Sequence, residues 1–281
     1  MNIKSESNSE INSLSVSVVV YRPERQQLAQ TLQSLALAFD ALTEVYPSIG
    51  LAVCLVDNGG LPDITAAVDR LRSRGATCSL IAGQGNVGYG RGHNLAIGRS
   101  ASAYHLVLNP DIDLDRDALK CALEFLERHQ DVGLLTPRIG DEGGRIQYLC
   151  RRFPTLLDLL VRGFLPARAR GFFKERLARY EMQDLINDRD IVWDPPIVSG
   201  CFMLFRTSVL KTLAGFDPRY FLYFEDYDLS LRTHQVARIA YMPAVRVLHH
   251  GGGAARKGSA HIRMFAASAF RFFNRFGWKW V

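Results

Sequence analysis

The chain has 281 residues, 48% of them hydrophobic, which is enough for a substantial core in one large domain. Thirty-four lysine and arginine residues against 28 acids give a net charge of +6, which favours anionic partners without choosing among nucleic acid, phospholipid and sugar nucleotide. The segment 1–13 is polar and no apolar run is long enough to cross a bilayer, which argues against a signal peptide and a transmembrane helix.

Strand-like and helix-like patterns alternate through the first half of the chain. A β-branched run, Leu14–Tyr21, comes first, and leucines at helical spacing follow it from Leu28 to Leu35. The same alternation then recurs with strands over 51–56, 77–82 and 104–108 and helices after Pro62, over 92–100 and through 119–126. Because parallel strands need crossover helices, this pattern predicts a Rossmann-like nucleotide-binding half over residues 14–140.

The alternation lapses after Gly144. A helical insertion is predicted over 155–185, followed by an apolar strand over 197–205 and another over 245–248. We therefore predict an α/β fold with a mostly parallel central sheet. One domain spans 14–253, its acceptor and catalytic half spans 141–253, and a C-terminal helical extension covers 254–281.

Polar segments follow several of these predicted strands. Asp57 places a carboxylate at the end of the second strand, although Asp-Asn-Gly-Gly is also typical of a tight turn. The glycine-rich segment 85–94 lies between a strand and a helix, so its backbone amides would approach a phosphate or ribose closely. A flexible loop is the alternative interpretation of this segment.

The segment Asn109-Pro-Asp-Ile-Asp113 follows the fourth strand. Carboxylates at a strand end are hard oxygen ligands for Mg²⁺ or Mn²⁺, and such a metal would grip and neutralise a diphosphate. The alternative is turn chemistry, with Asp113 or Asp115 capping the next helix. The sequence favours a metal role for Asp111 and leaves Asp113 undecided.

Two further segments carry candidate site residues. Phe221–Arg232 places three acids behind an aromatic cluster, where desolvation would raise a carboxyl pKa as a general base requires. An ordinary helix start, with Asp228 paired to Arg232, is the alternative and is compatible with a base at Asp226. His249 and His250 precede three glycines, and adjacent strand residues point to opposite faces, so one histidine is expected to reach the site.

These segments together resemble glycosyltransferase family 2, with the GT-A fold, and within it the bacterial rhamnosyltransferase-like branch. The resemblance extends over residues 16–253 in the order of the family. It rests on segments 16–21, 55–58, 85–94, 108–111, 199–206, 215–217, 221–232 and 249–253.

The resemblance implies roles for individual residues. Asp57 would bind the pyrimidine of the donor, and Asp111 matches the last acid of the Asp-x-Asp metal motif, whose first acid is replaced by Asn109. One of the two late histidines would complete the shell of an Mg²⁺ or Mn²⁺ ion. The implied donor nucleotide residues are Tyr21, Asp57, Asn86, Gly88, Arg91, Asn94, Asn109 and Asp111, and the implied metal ligands are Asp111, Asp113, His249 and His250.

The resemblance also implies an inverting reaction. Asp226 matches the catalytic base, which would deprotonate an acceptor hydroxyl as it attacks the anomeric carbon of the donor. Gly200, Glu225 and Arg232 would support this site. The implied donor is dTDP-rhamnose, and the implied acceptor is a saccharide or lipid-linked saccharide of a bacterial surface polysaccharide.

The acceptor interpretation draws on two basic, aromatic-rich stretches. Residues 151–179 contain eight basic and two acidic residues, and the tail from Arg256 contains six basic residues and seven aromatic ones. Such composition suits an anionic membrane surface. The alternative is that the apolar residues face the core or a partner chain while the charges are solvated.

Several alternatives remain open at this level. A UDP-hexose is the second donor, and a non-catalytic basic module that binds membrane or nucleic acid is the second class of function, although no nucleic-acid motif is present. The five scattered cysteines lack a Cys-x-x-Cys spacing and indicate a reducing cytosol. We expect a cytoplasmic protein, peripheral at the inner face of the membrane, and the sequence is compatible with a homo-oligomer.

Overall fold

A computed structural model of the protein describes residues 12–251 and 258–281. The predicted polar segment up to residue 11 lies outside the described residues, as do Gly252, Gly253, Arg256 and Lys257. The described residues form one nine-stranded sheet with helices packed against it. Its strands are β1 (Ser13–Val20), β2 (Gly50–Asp57), β3 (Thr77–Ile81), β4 (Tyr104–Leu108), β5 (Ile112–Leu114), β6 (Val132–Gly140), β7 (Val192–Trp193), β8 (Phe202–Arg206) and β9 (Arg238–His249).

The strand order is β3-β2-β1-β4-β8-β6-β9-β5, with β7 paired to β9. Strands β1 to β4 are parallel to one another, as the alternation of strands and helices over residues 14–140 predicted. The second half is mixed, because β8 runs antiparallel to β4 and β6 while β6 and β9 are parallel. The α/β prediction is therefore confirmed, with antiparallel strands in the second half of the chain that the pattern did not reveal.

Helices connect the strands where the alternation predicted them. Leucines at helical spacing in α1, including Leu28, Leu32 and Leu35, are fully buried against the sheet, as their spacing predicted. The helices are α1 (Arg25–Val45), α2 (Thr65–Arg72), α3 (Tyr89–Ile97), α4 (Ala118–Arg128), α5 (Leu156–Phe164), α6 (Ala167–Arg170), α7 (Lys174–Tyr180), α8 (Thr207–Thr212), α9 (Glu225–Thr233) and α10 (Gly258–Phe276).

The insertion between β6 and β7 is helical. It comprises α5, α6, a 3₁₀ turn over Gly171–Phe173 and α7, within the predicted 155–185. A capping box starts α5, since Thr155 and Asp158 exchange side-chain and backbone hydrogen bonds. Strand β9 is twelve residues long, although the sequence indicated only its last residues.

The C-terminal helix α10 packs on α9 and on the insertion. Phe272 and Phe273 are fully buried, and Phe272 lies 5.2 Å from Phe224 between ring centroids. Arg275 donates to the buried Asp228 at 2.7 Å, so an ion pair also joins α10 to α9. Phe272, Phe273 and Arg275 therefore follow the packing alternative, and membrane association of the exposed residues of this stretch stays a prediction. No helix in the described part of the chain is long and apolar enough to span a bilayer.

Candidate active site

The predicted site segments meet at the sheet edge where β4 ends. Asn109 donates its backbone N–H to the carbonyl of Cys201, just before β8, at 2.9 Å. On the other side, β5 pairs with β9 so that Ile112 lies opposite His249. The N–H of His250 donates to the Asp111 carbonyl at 3.0 Å. These pairings form what we call the strand-end crevice, between the end of β4, the end of β9 and the start of β8.

Asp111 and His249 form a close pair in this crevice. Oδ2 of Asp111 lies 3.6 Å from Nε2 of His249, and Oδ1 of Asp111 is buried without a hydrogen-bond partner among the described residues. Gln147 orients the imidazole, because its amide oxygen lies 2.9 Å from Nδ1 and its amide nitrogen donates to the His249 carbonyl. A proton on Nδ1 satisfies that oxygen, so Nε2 presents its lone pair to Asp111.

The space between these two side chains is kept open by Gly251. A Cβ atom at this position would lie 2.5 Å from Oδ2 of Asp111 and 2.6 Å from Nε2 of His249. Burial lowers the pKa of His249 more than the Asp111 carboxylate raises it, which favours the neutral, ligating form of the imidazole. An unpaired carboxylate oxygen and a neutral imidazole nitrogen are suitable donors for a divalent cation.

Asp113 and His250 pair with each other instead. Nε2 of His250 lies 2.8 Å from Oδ2 of Asp113, and its Nδ1 lies 2.9 Å from Glu142. Gln30 also donates to Oδ2 of Asp113, at 2.6 Å. Burial lowers the pKa of His250, but the hydrogen bonds to two carboxylates outweigh it, so the net pKa is raised. In residues 12–251 and 258–281, no three His, Cys, Asp or Glu side chains are grouped as a metal site.

Two acids begin α9, directly after the left-handed residues Tyr223 and Phe224. Asp226 accepts the backbone N–H groups of Gly200 at 3.0 Å and Tyr227 at 2.9 Å. Burial raises the pKa of Asp226, and burial together with the Asp226 charge raises the pKa of Glu225 to about 8. The pair therefore keeps one proton at neutral pH, and Asp226, with two N–H donors, is the favoured place for the charge.

Tyr89 connects this acid pair to the sheet. Its hydroxyl donates to the carbonyl of Gly200 at 2.6 Å, while the N–H of Gly200 donates to Asp226. A Cβ atom on Gly200 would lie 3.3 Å from both Asp226 and the Tyr89 ring, so a larger residue would displace one of them. Burial raises the pKa of Tyr89, and the neighbouring groups Cys201, Glu225, Asp226 and Asp111 raise it further. The sequence analysis did not single out Tyr89, although it is the aromatic residue among the glycines of segment 85–94.

Arg151 is a second residue that the sequence analysis did not single out. Its side chain is almost fully buried, donates to the Cys150 carbonyl at 3.0 Å and lies 3.7 Å from Glu181. The Arg151 charge lowers the pKa of Asp226 and so opposes the effect of burial. A β-bridge to Ile197 positions it, and nothing local in the sequence distinguishes it from its basic neighbours.

The residues predicted to bind the nucleotide follow β1, β2 and β3. Asp57 ends β2 and accepts the N–H of Gly59 at 2.7 Å, so the tight turn that was the alternative is present. A half-exposed Tyr21 has its ring near Gly59. Asn86 accepts the N–H of Gly88 at 3.0 Å and shapes the glycine-rich loop. Tyr21 and Asp57 thus lie together beside an exposed loop.

Three predicted residues bind the segment 213–218 instead of facing the crevice. The Asn94 amide exchanges two hydrogen bonds with the backbone of Phe216, at 2.7 and 2.9 Å. The Arg91 side chain donates to the Pro218 carbonyl, and Arg232 donates to the carbonyls of Leu213 and Gly215. The Arg232 side chain also pairs with Asp228, as the helix-start alternative predicted. These side chains fix the segment that leads into α9.

Curated proteins of similar sequence include two rhamnosyltransferases. The sequence of the chain is 28% identical over 278 residues to N-acetylglucosaminyl-diphospho-decaprenol L-rhamnosyltransferase of Mycobacterium tuberculosis, covering 92% of the chain and 83% of that protein. It is 29% identical over 201 residues to the rhamnosyltransferase WbbL of Escherichia coli, covering 68% and 72%.

The fold is shared with solved glycosyltransferases. The mannosyltransferase PcManGT of Pyrobaculum calidifontis, solved with GDP-Man and Mn²⁺, superposes with a TM-score of 0.58 at 17% identity, covering 92% of this chain and 64% of that one. The architecture is therefore the predicted GT-A type. The family model of glycosyl transferase family 2 matches residues 15–214. The chain thus belongs to glycosyl transferase family 2 and is a glycosyltransferase related to the rhamnosyltransferases.

Proposed function

We propose that the protein is a metal-dependent, inverting rhamnosyltransferase that uses dTDP-rhamnose and extends a lipid-linked saccharide of a bacterial surface polysaccharide. Two relatives are rhamnosyltransferases by name, and one of these names specifies a diphospho-decaprenol acceptor. A UDP-hexose is the second donor to test. The non-catalytic alternative is abandoned, because family membership makes the chain an enzyme.

The observation that carries the proposal is the position of Asp226. Asp226 accepts a hydrogen bond from the N–H of Gly200 at 3.0 Å. The next residue, Cys201, accepts a backbone hydrogen bond from Asn109, which follows β4 and lies two residues before Asp111. This series of contacts supports placing the proposed base and the proposed diphosphate site in one crevice. Asp226 would take the proton of the acceptor hydroxyl, whose oxygen bonds to the anomeric carbon while the bond to the diphosphate oxygen breaks on the opposite face.

Asp111 and His249 are the residues that we propose to hold Mg²⁺ or Mn²⁺. The buried, unpaired Oδ1 of Asp111 supports this assignment. Oδ1 of Asp113 is also buried without a hydrogen-bond partner among the described residues, but Asp113 is the less suitable ligand, since its Oδ2 already contacts Gln30 and His250. When bound, the ion would neutralise charge on the departing diphosphate. The nucleotide would lie along Tyr21, Asp57 and the loop from Asn86 to Gly88.

A donor-hydrolysis screen tests the proposal. Purified protein is incubated with dTDP-rhamnose and a panel of UDP- and GDP-sugars, with Mg²⁺, Mn²⁺ or EDTA. We expect metal-dependent release of dTDP, and Asp226→Asn should lower transfer to an acceptor by about 10²–10⁴-fold while leaving the donor Kd nearly unchanged. Asp190→Asn, which alters an exposed acid, is the matched control and should retain full activity. Near-normal turnover of Asp226→Asn would remove Asp226 as the base, and equal activity in EDTA would remove the metal.

A further inference from the structure

Several exposed apolar side chains lie on the helical insertion, on α10 and on the tail that follows it. Phe172, in the 3₁₀ turn between α6 and α7, is 90% exposed. In the tail, Trp280 is 68% exposed, and Leu160 on α5 is 52% exposed. Large apolar side chains at such exposure are costly in water when several share one surface. We call this set, with Phe270 and Trp278, the aromatic face.

The elements that carry the aromatic face are joined to one another. The first N–H groups of α5, on Leu156 and Leu157, donate to the carbonyls of Lys279 and Trp280. Asp158 on α5 pairs with Arg176 on α7 at 2.6 Å. These bonds attach both the tail and α7 to α5, so the elements that carry Trp280, Leu160 and Phe172 are held together.

Basic residues surround the exposed aromatic side chains. Arg168 and Arg170 on α6 and Lys174 on α7 flank Phe172 and are exposed, with no ion pair to any residue of the described chain. Other arginines of the same region are neutralised, since Arg176 pairs with Asp158 and Arg162 with Glu181. Unpaired cations around apolar rings match the chemistry of an anionic bilayer, where rings enter the headgroup level and cations contact phosphate.

The aromatic face is also connected to the base. Helix α10, which leads into the tail, packs Phe265 and Phe272 against Phe224, two residues before Asp226. A membrane bound at this face would therefore hold a lipid-linked acceptor close to α9, whose second residue is Asp226. We propose that the aromatic face docks the enzyme on a bilayer rich in anionic phospholipid, with Phe172 and Trp280 inserted and Arg168, Arg170 and Lys174 on the phosphates. This inference rests on the proposed lipid-linked acceptor.

Vesicle sedimentation tests the docking without donor or acceptor. The full chain is mixed with phosphatidylcholine vesicles that contain either no phosphatidylglycerol or 40% phosphatidylglycerol. We expect at least fivefold stronger partitioning onto the anionic vesicles, reduced by 0.5 M NaCl. Phe172→Ser and Trp280→Ser should each weaken it severalfold, and the triple change of Arg168, Arg170 and Lys174 to glutamine should weaken it by about tenfold or more.

Matched controls separate docking from general effects of composition. Leu80→Ser removes a half-exposed apolar side chain from the edge strand β3, and replacing Arg99, Arg128 and Lys211 by glutamine removes the same charge from other exposed positions. Both controls should bind vesicles like the wild type. All variants should keep wild-type donor hydrolysis in solution, so loss of hydrolysis tests the proposed function separately.

Two results would overturn the docking proposal. One is partitioning that is independent of phosphatidylglycerol and unchanged by Phe172→Ser and by the triple charge variant. The other is wild-type self-association in analytical ultracentrifugation that Phe172→Ser abolishes without any change in vesicle binding. The second result would identify the aromatic face as an interface between copies of this chain.

Discussion

The acid pair at the start of α9 makes a quantitative prediction about stability. Glu225 is buried, and its pKa of about 8 compares with 4.5 for an ordinary glutamate. Between these two values the folded state binds a proton that the unfolded state has released. The stabilisation is therefore fully present below pH 4.5 and is lost as the pH rises towards 8. Its slope is about 1.4 kcal/mol per pH unit, so raising the pH from 5 to 7 costs about 3 kcal/mol.

Glu225→Gln removes this slope because glutamine does not titrate. The change leaves a buried amide whose cost does not depend on pH, so only the difference between pH values is informative. Thermal unfolding of the wild type and the variant is followed at pH 5, 6, 7 and 8. At about 2–4 °C per kcal/mol for a domain of this size, the wild type should lose roughly 8 °C more than the variant between pH 5 and 7.

Glu175→Gln, at an exposed position near the start of α7, is the matched control and should follow the wild type. If the Tm of Glu225→Gln declines in parallel with that of the wild type over this range, Glu225 does not hold a proton in the fold. The assignment of the charge to Asp226 would then lose its basis.

Three further changes test other parts of the site. Gly251→Ala should weaken metal-dependent activity at least tenfold, because its Cβ would occupy the space between Asp111 and His249; Gly163→Ala, with open space around it, should be silent in a metal titration. Arg151→Gln should move the acidic limb of the kcat/KM–pH profile to higher pH, since loss of the cation raises the pKa of Asp226; an unmoved limb would contradict this role. Phe272→Ala should cost about 3–5 kcal/mol in urea unfolding, whereas exposed Phe270→Ala should cost under about 0.5 kcal/mol; equal losses would contradict the packing of α10.

The sequence predicted which segments meet at the candidate site better than it predicted which side chains pair with each other there. Asp57, Asn109 and Asp111 could be placed at one sheet edge because the carboxyl ends of parallel strands meet there. The partners of the two histidines could not be predicted. They depend on the antiparallel register of β5 and β9, which sets Ile112 opposite His249 and leaves Asp113 to His250.

Other differences arise from contacts between distant segments. Asn94 binds Phe216, more than a hundred residues away, and a β-bridge joins Arg151 to Ile197. Neither contact has a local signature. The burial of α10, by contrast, was predictable from the sequence, because Phe265, Phe272 and Phe276 follow a helical period. The membrane interpretation had rested on the number of aromatic residues and not on their spacing.

The two consecutive left-handed residues before α9 predict where substitutions that abolish activity without unfolding the protein should lie. Tyr223 and Phe224 have φ angles of 71° and 64°, a conformation that costs of the order of 1 kcal/mol for each residue with a side chain. Packing of Phe224 against α10 offsets this cost. Substitutions in α10 that loosen this contact would let the backbone of Tyr223 and Phe224 relax. Asp226, the proposed base, would then turn away from the crevice while residues 14–140 stay folded. A screen for inactive but well-expressed variants should therefore recover changes in the last helix, far from either substrate.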